Sequence, residues 1–554
     1  MMPRTDPSAP RPEAGPGRPR HNDAEIFGES MNTDKPESGA ERLVHTLIEG
    51  GVDVCFANPG TSEMHFVGAL DRISGMRCVL GLFEGIVTGA ADGYYRVSGK
   101  PAATLLHLAP GLANGLANLH NAKKARSGIV NIVGDHATYH APLASPLAGD
   151  VEAVARPMSN WVRTTCSADS LAGDAAEAVA LARQSPGKIA TLILPADISW
   201  CAAGEAAPVR SVAPRRAVRA EFVDAAAEAL RRGGSNAILL LGDGAVRGKA
   251  LSWAGAIAAA TGCRLMAETH NACMERGAGR APFSLVPYTQ PVEAALKALA
   301  GTRDVVLAGA RDPIAFFAYP GKPVKLLPAD CNVCELASPE EDIEAALEAV
   351  ARALGVRSAA GEGVAPLARP AVPTGPISHD GLGEVIAALL PEQCIVIDEA
   401  VTAGRSFYAK TRTTAPHDWI SSMGAAIGFA LPAAVGAAIA APGRKVLALS
   451  GDGSAMYTPQ ALWSMAREGL DVTIVIFANR AYQILRGEFF NMGSGVPGAR
   501  AEAMLTIGDP ALDWQSLAKG CGVECGIARD LEEFARELRR GFASQGPYLV
   551  EVRM

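Results

Sequence analysis

At ~150 residues per domain, a chain of 554 residues has room for three or four domains, and its 49% hydrophobic and 20% charged content excludes a wholly disordered polymer. With 51 Lys and Arg against 58 Asp and Glu the net charge is -7, which leaves no broad cationic face for nucleic acid or anionic lipid. Aromatics at 5% rule against base-stacking platforms, whereas 58 glycines and 37 prolines suit the many tight strand-to-helix turns of a small-molecule enzyme. The 11 cysteines, an odd number scattered from Cys55 to Cys525 with no apolar secretory run ahead of them, point to a reducing cytoplasm rather than a disulfide framework.

Residues 1–35, rich in Pro, Arg, Gly and Ser, cannot offset their ordering entropy and predict a disordered tail. From Ala40 a helical pattern of Leu43, Leu47 and Ile48 leads into a strand over 52–57 and a turn at Asn58-Pro59-Gly60. A strand over 77–83, a helix over 85–97, a strand over 102–106, a Gly/Asn-rich helix near 111–125 and a strand over 128–133 follow. A Pro- and Arg-bearing linker over 203–218 precedes a second α/β unit that opens with a strand over 237–241. The pair Cys331 and Cys334 is spaced like half a zinc knuckle, but no second pair follows, so it reads as two small apolar residues. A Pro/Ala/Gly linker over 357–376 precedes the third unit: a helix over 381–390, a strand over 395–398, an uncharged stretch over 419–443, and a strand over 445–449. The uncharged stretch is rich in Ala and Gly and interrupted by Pro432, which argues for a tightly packed helix over 423–441 rather than a membrane span. Strands alternating with helices through short glycine turns predict α/β architecture: three doubly wound parallel-sheet domains over 36–202, 219–356 and 377–554.

The strand over 445–449 ends in Ser450-Gly451-Asp452-Gly453-Ser454. Glycines in such a turn let backbone N–H groups approach a diphosphate, and the acidic residue beside them suits a hard cation. A second Gly-Asp-Gly, at 242–244, has Asn271 at a spacing close to that of Asn479 from Asp452, so spacing alone separates the two poorly. Gly451-Asp452-Gly453-Ser454 with Asn479 resembles the thiamin-diphosphate motif. The run Gly428-Phe429-Ala430-Leu431-Pro432 resembles the helix before it in the acetolactate synthase, pyruvate oxidase and benzoylformate decarboxylase group. That resemblance implies Mg²⁺ ligation by Asp452, Asn479 and the carbonyl of Ala481, with Gly453 and Ser454 beside the diphosphate. It also implies that Ile427 props the bent cofactor, that the carbonyl of Ala425 accepts from its 4′-amino group, that Thr402 contacts the diphosphate, and that Tyr482 lines the cofactor and substrate space.

The N-terminal unit resembles the same group independently. Asn58-Pro59-Gly60-Thr61 matches its first strand-turn, and Phe83-Glu84-Gly85 with Ala90-Ala91-Asp92-Gly93-Tyr94 matches the segment bearing its catalytic glutamate. Leu106-His107-Leu108 matches the active-site histidine turn of benzoylformate decarboxylase. Pro59 and Glu84 are thereby implied at the cofactor, and Thr61 and His107 at the substrate. Thiamin diphosphate works as a C2 ylid, and a protein carboxyl group must serve its pyrimidine ring; Glu84, flanked by apolar runs, suits that task. His107 can shuttle a proton or hold a substrate carboxylate, with a packing role as the alternative. His136 and His140 follow a strand where relatives carry a glutamine, and His136 is the better catalytic candidate.

The resemblance implies a thiamin diphosphate- and Mg²⁺-dependent decarboxylation of a 2-oxo acid, followed by ligation to a second carbonyl in the acetolactate synthase manner or by release of an aldehyde. FAD, bound by some relatives, has no clear support in residues 219–354. A nicotinamide dehydrogenase would need a fuller glycine motif than either Gly-Asp-Gly supplies. A catalytically silent regulatory subunit would be expected to lose Glu84 or Asp452, and both are present. In the family the glutamate domain of one subunit faces the Gly-Asp-Gly domain of another, which implies a homodimer or homotetramer with sites at the subunit interface.

Overall fold

Strands such as Ala102–Leu106, Ala237–Leu241 and Val472–Ala478 are buried at every position, a pattern that requires a parallel sheet covered by helices on both faces. The computed structural model describes residues 36–287, 292–359 and 363–554, so the tail expected over 1–35 lies outside the described residues. The first sheet holds β1 (Val54–Asn58), β2 (Arg77–Leu80), β3 (Ala102–Leu106), β4 (Ile129–Asp135), β5 (Trp161–Thr164) and β6 (Ile189–Pro195) in the order β2-β1-β3-β4-β6-β5, all parallel.

The middle stretch supplies β7 (Ala237–Leu241), β8 (Arg264–Ala267), β9 (Met274–Arg276), β10 (Ser284–Leu285), β11 (Asp304–Ala308) and β12 (Asn332–Ala337). The second sheet runs β10-β8-β7-β11-β12, all parallel, with Cys334 inside β12. The third sheet contains β13 (Cys394–Glu399), β14 (His417–Ser421), β15 (Val446–Gly451), β16 (Val472–Ala478), β17 (Glu524–Ala528) and β18 (Tyr548–Arg553) in the order β17-β18-β16-β15-β13-β14-β9. Its last neighbour, β9, comes from the middle stretch and pairs antiparallel with β14. Buried Arg276 anchors that strand: its guanidinium lies 3.3 Å from the centroid of the Tyr408 ring and donates to Thr411 Oγ1 at 2.9 Å. Residues 203–218, and the described residues from 357 to 375, carry no helix or strand.

The Ala/Gly helix differs from expectation. It spans Ala430–Ala440, because Ala425 and Gly428, with φ of 57° and 86°, hold the preceding residues out of helical geometry. Its small residues are used within the chain, against the helix Glu84–Ser98. A Cβ on Gly93 would meet the Ala433 carbonyl oxygen at 2.1 Å, and one on Gly436 would meet the Ala90 carbonyl oxygen at 1.8 Å. Backbone therefore packs on backbone between the first and third sheets. Beside that contact the buried pair Arg96–Asp92 is closed by bonds of 2.6 and 2.8 Å, and Arg96 Nη1 also donates to the Ser421 carbonyl at 2.7 Å. Among the described residues no helix is long and apolar enough to cross a membrane.

Candidate active site

Ligand crevices in doubly wound sheets form beyond the carboxyl ends of the strands. The first sheet presents four adjacent ends. Beyond β2 comes Glu84, beyond β1 come Pro59, Thr61 and Glu63, beyond β3 comes His107, and beyond β4 comes His136. Glu84 opens its helix, and its Oε2 accepts from Asn114 Nδ2 at 3.0 Å. The side chains of Glu84 and His107 flank one point: a Cβ on Gly111 would lie 3.0 Å from Glu84 Oε1 and 3.3 Å from His107 Cβ. Thr61, by contrast, is exposed at the head of its turn, and Pro59 is half-buried.

The sequence reading missed Glu63, which is only 2% exposed. Its carboxylate accepts from the Gly60 N–H at 2.7 Å and the Ser62 hydroxyl at 2.6 Å, and His107 Nδ1 stands 2.9 and 3.1 Å from its two oxygens. A Cβ on Gly134 would come within 1.8 Å of Glu63 Oε1, so the glycine at the end of β4 makes room for this carboxylate. The spacing Gly60-x-x-Glu63, a capping pattern, was the available signal. A carboxylate on Nδ1 fixes the tautomer of an imidazole and leaves Nε2 for other chemistry.

His136 stands apart from this cluster. Its Nε2 meets Ser145 Oγ at 3.0 Å, its ring sits edge-on to that of His140 with centroids 5.2 Å apart, and among the described residues no hydrogen bond joins it to Glu84 or His107. Beneath it, burial pushes the Asp135 carboxyl up.

The third sheet repeats the arrangement with four more adjacent ends. β13 leads to Glu399 and Thr402, β14 to the loop with Ala425 and Ile427, β15 to Asp452, Gly453 and Ser454, and β16 to Asn479, Ala481 and Tyr482. Asp452 Oδ2 accepts from the Arg480 N–H at 2.7 Å and Oδ1 from the Gly453 N–H at 2.9 Å, while Asn479 Oδ1 accepts from the Ala481 N–H at 3.0 Å. The Gly-Asp-Gly turn and the Asn479 turn are thus joined through one carboxylate, whose pKa burial raises. A Cβ on Gly453 would meet Tyr482 Cε1 at 2.6 Å, whereas one on Gly451 meets nothing within 4 Å, which leaves open space beside Asp452.

Glu399 was also missed. Its oxygens accept from the Phe429 N–H at 2.9 Å, the Ala430 N–H at 3.1 Å and the Ser450 hydroxyl at 3.2 Å, and burial raises its pKa to about 7. It ties β13, the N-terminus of Ala430–Ala440 and β15 into one unit. Four of the non-glycine residues with positive φ lie in these turns: Leu108 (50°), Val401 (49°), Ala425 (57°) and Arg480 (57°). Each costs about 1–3 kcal/mol, and such strain gathers where geometry is set by a ligand.

The helix Leu108–Ala125 links the two sheets. Asn118 Nδ2 donates to the Gly85 carbonyl at 2.9 Å and lies 3.4 Å from that of Gly428, Asn121 Nδ2 donates to the Ala426 carbonyl at 2.9 Å, and His120 Nε2 meets the Gly424 carbonyl at 3.1 Å. No hydrogen bond or ion pair, however, joins Glu84 to Asp452 or Asn479 among the described residues.

Residues 402–552 match the family model of the thiamine pyrophosphate enzyme C-terminal TPP binding domain, and residues 37–155 match that of the N-terminal TPP binding domain. Over 519 residues the chain is 49% identical to a Mycobacterium tuberculosis protein provisionally named acetolactate synthase large subunit IlvX, spanning 93% of this chain and 98% of that protein. Benzoylformate decarboxylase of Pseudomonas aeruginosa is 30% identical over 538 residues, 91% of this chain and 97% of its own. In fold, the thiamine diphosphate-dependent 4-hydroxybenzoylformate decarboxylase of Rhodococcus jostii RHA1 is similar with a TM-score of 0.80 at 24% identity, over 94% of this chain and 99% of that one. Two matched cofactor-binding domains and near full-length relatedness lead to one conclusion: the chain belongs to the thiamine pyrophosphate enzyme family.

Proposed function

We propose that this protein is a thiamin diphosphate- and Mg²⁺-dependent decarboxylase of 2-oxo acids that returns a proton to the product through His107. The observation that carries the reading is the Glu63–His107 pair at 2.9 Å beside Glu84, with His107 Nε2 left for substrate. Asp452, the Asn479 side-chain oxygen and the Ala481 carbonyl would offer Mg²⁺ an all-oxygen donor set; the open face of Gly451 and the bond from the Arg480 N–H to Asp452 support that reading. Thiamin diphosphate supplies an electron sink for the bond that loses CO₂.

The chain's own residues do the rest. Glu84 would serve the pyrimidine ring through Oε1, while Asn114 steadies Oε2. Thr402, Gly453 and Ser454 would hold the diphosphate, Ala425 and Ile427 would support the rest of the cofactor, and Thr61 and Tyr482 would line the substrate space together with Pro59. His136 acts at the margin, through its Ser145 contact. Kinship with a family in which the glutamate domain of one subunit faces the Gly-Asp-Gly domain of another supports two copies completing each site, as a homodimer or a doubled tetramer. Eleven free cysteines fit a reducing cytoplasm.

A second reading, ligation of the decarboxylated fragment to another carbonyl, is favoured by the 49% identity with the IlvX protein. Incubating the protein with thiamin diphosphate, Mg²⁺ and a panel of 2-oxo acids, with CO₂ and carbonyl products identified, tests both. Aldehyde equal to CO₂ supports simple decarboxylation, a 2-hydroxy ketone supports ligation, and no CO₂ from any acid refutes both.

A further inference from the structure

A second polar cluster stands one strand along from His107. The order β2-β1-β3-β4 places Glu84, Glu63, His107 and His136 beyond successive strand ends, with His140 following in the same loop as His136. Neighbouring strands lie about 4.8 Å apart, so the ends of β2 and β4 are about 14 Å from each other. β3 and β4 stay in register up to Leu106 and Val133, and the next residue, Gly134, is the one whose Cβ would strike Glu63 Oε1. The two imidazoles therefore follow directly on the carboxylate that holds His107, at the end of the row away from Glu84.

The loop over 136–145 holds its rings in place. Asp135 Oδ1 accepts from the His136 N–H at 2.8 Å, and Asp197 accepts from the Thr138 N–H at 2.9 Å and from its hydroxyl at 2.5 Å. The His140 N–H donates to the Ala137 carbonyl at 2.8 Å, closing the turn that brings the two rings to 5.2 Å. Ala144, with φ of 47°, then returns the chain so that Ser145 Oγ meets His136 Nε2 at 3.0 Å. Asp135 is the charged neighbour of His136, and its carboxylate bonds the backbone; among the described residues no carboxylate makes an ion pair with either ring.

A neutral imidazole donates through one nitrogen and a charged one through two. Two rings and the Ser145 hydroxyl thus carry at least three donors, and the bond between His136 and Ser145 uses one. At least two remain for an acceptor. A metal centre does not account for them, since no group of three or more His, Cys, Asp or Glu among the described residues could hold a metal ion. A carboxylate does, because it offers two acceptor oxygens and no donor of its own. In a 2-oxo acid the carboxylate lost as CO₂ lies at the reacting centre, so a carboxylate met one strand beyond His107 belongs to the other end of the molecule.

We propose that His136 and His140 bind the distal carboxylate of the substrate, and that the protein acts on 2-oxo dicarboxylic acids of five or six carbons. The proposal rests on the decarboxylase reading and narrows its substrate. Two or three methylene groups between the keto carbon and the distal carboxylate span one strand spacing, about 4.8 Å.

The test compares acids of equal carbon number on the holoenzyme, saturated with thiamin diphosphate and Mg²⁺. kcat/KM for CO₂ release should be at least about tenfold higher with 2-oxoglutarate than with 2-oxopentanoate, and likewise with 2-oxoadipate than with 2-oxohexanoate, as suits charge-assisted bonds. In His136→Gln/His140→Gln each ratio should fall to within about twofold of one, whatever happens to either rate alone. Equal kcat/KM for the two classes in the native protein, or an unchanged ratio in the double variant, overturns the proposal. Glutarate and pentanoate, which have no 2-oxo group, read the same preference by calorimetry without turnover. Glutarate should bind the native holoenzyme at least about tenfold more tightly than pentanoate, with that margin shrinking as salt rises. CO₂ from no acid together with that preference would refute the decarboxylase reading and keep the carboxylate site, whereas glutarate binding no better than pentanoate overturns the site.

Discussion

Replacing Glu63 by Gln changes one oxygen into an amide nitrogen and leaves the volume alone, so it isolates the hydrogen bonding around His107. In the native protein three donors, the Gly60 N–H at 2.7 Å, the Ser62 hydroxyl at 2.6 Å and His107 Nδ1 at 2.9 Å, converge on the two carboxylate oxygens. An amide can accept at only one of its two atoms, so at least one donor faces an N–H instead. Leaving a buried donor unmade costs about 1–3 kcal/mol. The Gly60 N–H and His107 Nδ1 share Oε2, so the amide oxygen stays there and the NH₂ group takes the place of Oε1, where the rotatable Ser62 hydroxyl can turn to accept. His107 Nδ1 then keeps its acceptor at 2.9 Å but faces an NH₂ group where an oxygen stood at 3.1 Å, and the imidazole loses the negative charge that orients it. Loss of an oriented acid–base group costs about 10²–10⁴ in rate. Glu63→Gln should therefore bind thiamin diphosphate as the native protein does, by calorimetry, while kcat for aldehyde release falls at least about 100-fold and its pH profile moves. An unchanged kcat and pH profile with an intact fold would refute the pairing as functional.

Four further outcomes follow from the same geometry. Asp452→Ala should weaken Mg²⁺-dependent binding of thiamin diphosphate by more than about 100-fold, and native affinity in a titration would remove Asp452 from the metal site. Glu84→Gln should keep fold and cofactor yet slow C2 hydrogen–deuterium exchange on bound thiamin diphosphate by about 10² or more, against which an unchanged exchange rate would count. Burial raises Glu399 to about 7 and Asp398 to about 6, so the folded state holds these protons more tightly than the unfolded chain. The stability they contribute is complete below the ordinary carboxyl range and is lost as pH rises through about 7, and thermal melts of Glu399→Gln should show a flatter dependence over that window. Mixing Glu84→Gln with Asp452→Ala subunits should restore part of the activity that neither variant has alone, whereas verified subunit exchange without recovery would exclude a shared site.

The sheets were legible because buried parallel strands announce themselves as short apolar runs. Ala102–Leu106 and Ala237–Leu241 have the limits expected from sequence, since a Gly or Pro stands close to both ends. Strand limits slipped where apolar residues continue past the last ladder bond, as after Leu80, where Leu82 and Phe83 extend the hydrophobic run but not β2. Resemblance pointed to candidate site residues that lie in contiguous motifs, such as Asp452 with Gly453 and Glu84 with Gly85. Glu63 and Glu399 escaped because their significance is made by partners distant in sequence: His107 lies 44 positions from Glu63, and Phe429 lies 30 from Glu399. The exchange of β9 into the third sheet escaped for the same reason. Nothing in Met274–Arg276 indicates pairing with His417–Ser421, which is set by the stacking of Arg276 on Tyr408.

The strain in the turns follows from how the two sheets meet. Backbone contact between Glu84–Ser98 and Ala430–Ala440 fixes the distance between the sheets, since Gly93 and Gly436 leave no room for a methyl group. With that distance set, the helix Leu108–Ala125 must start immediately after β3 if Asn118 and Asn121 are to reach the 424–428 loop, and Leu108 takes up a φ of 50° to start it. His107 therefore stands at the end of a rigid lever whose other contacts hold the loop bearing Ala425. A change that loosens the lever, such as Asn121→Ala, removes its bonds to Ala426 and should weaken thiamin diphosphate binding although it touches neither the Gly-Asp-Gly turn nor Glu84. A bond to a buried partner is worth about 1–3 kcal/mol when its partner is left unmade, so the loss should be on the order of tenfold, and calorimetry showing native affinity in this variant would mean that the loop keeps its shape without the helix.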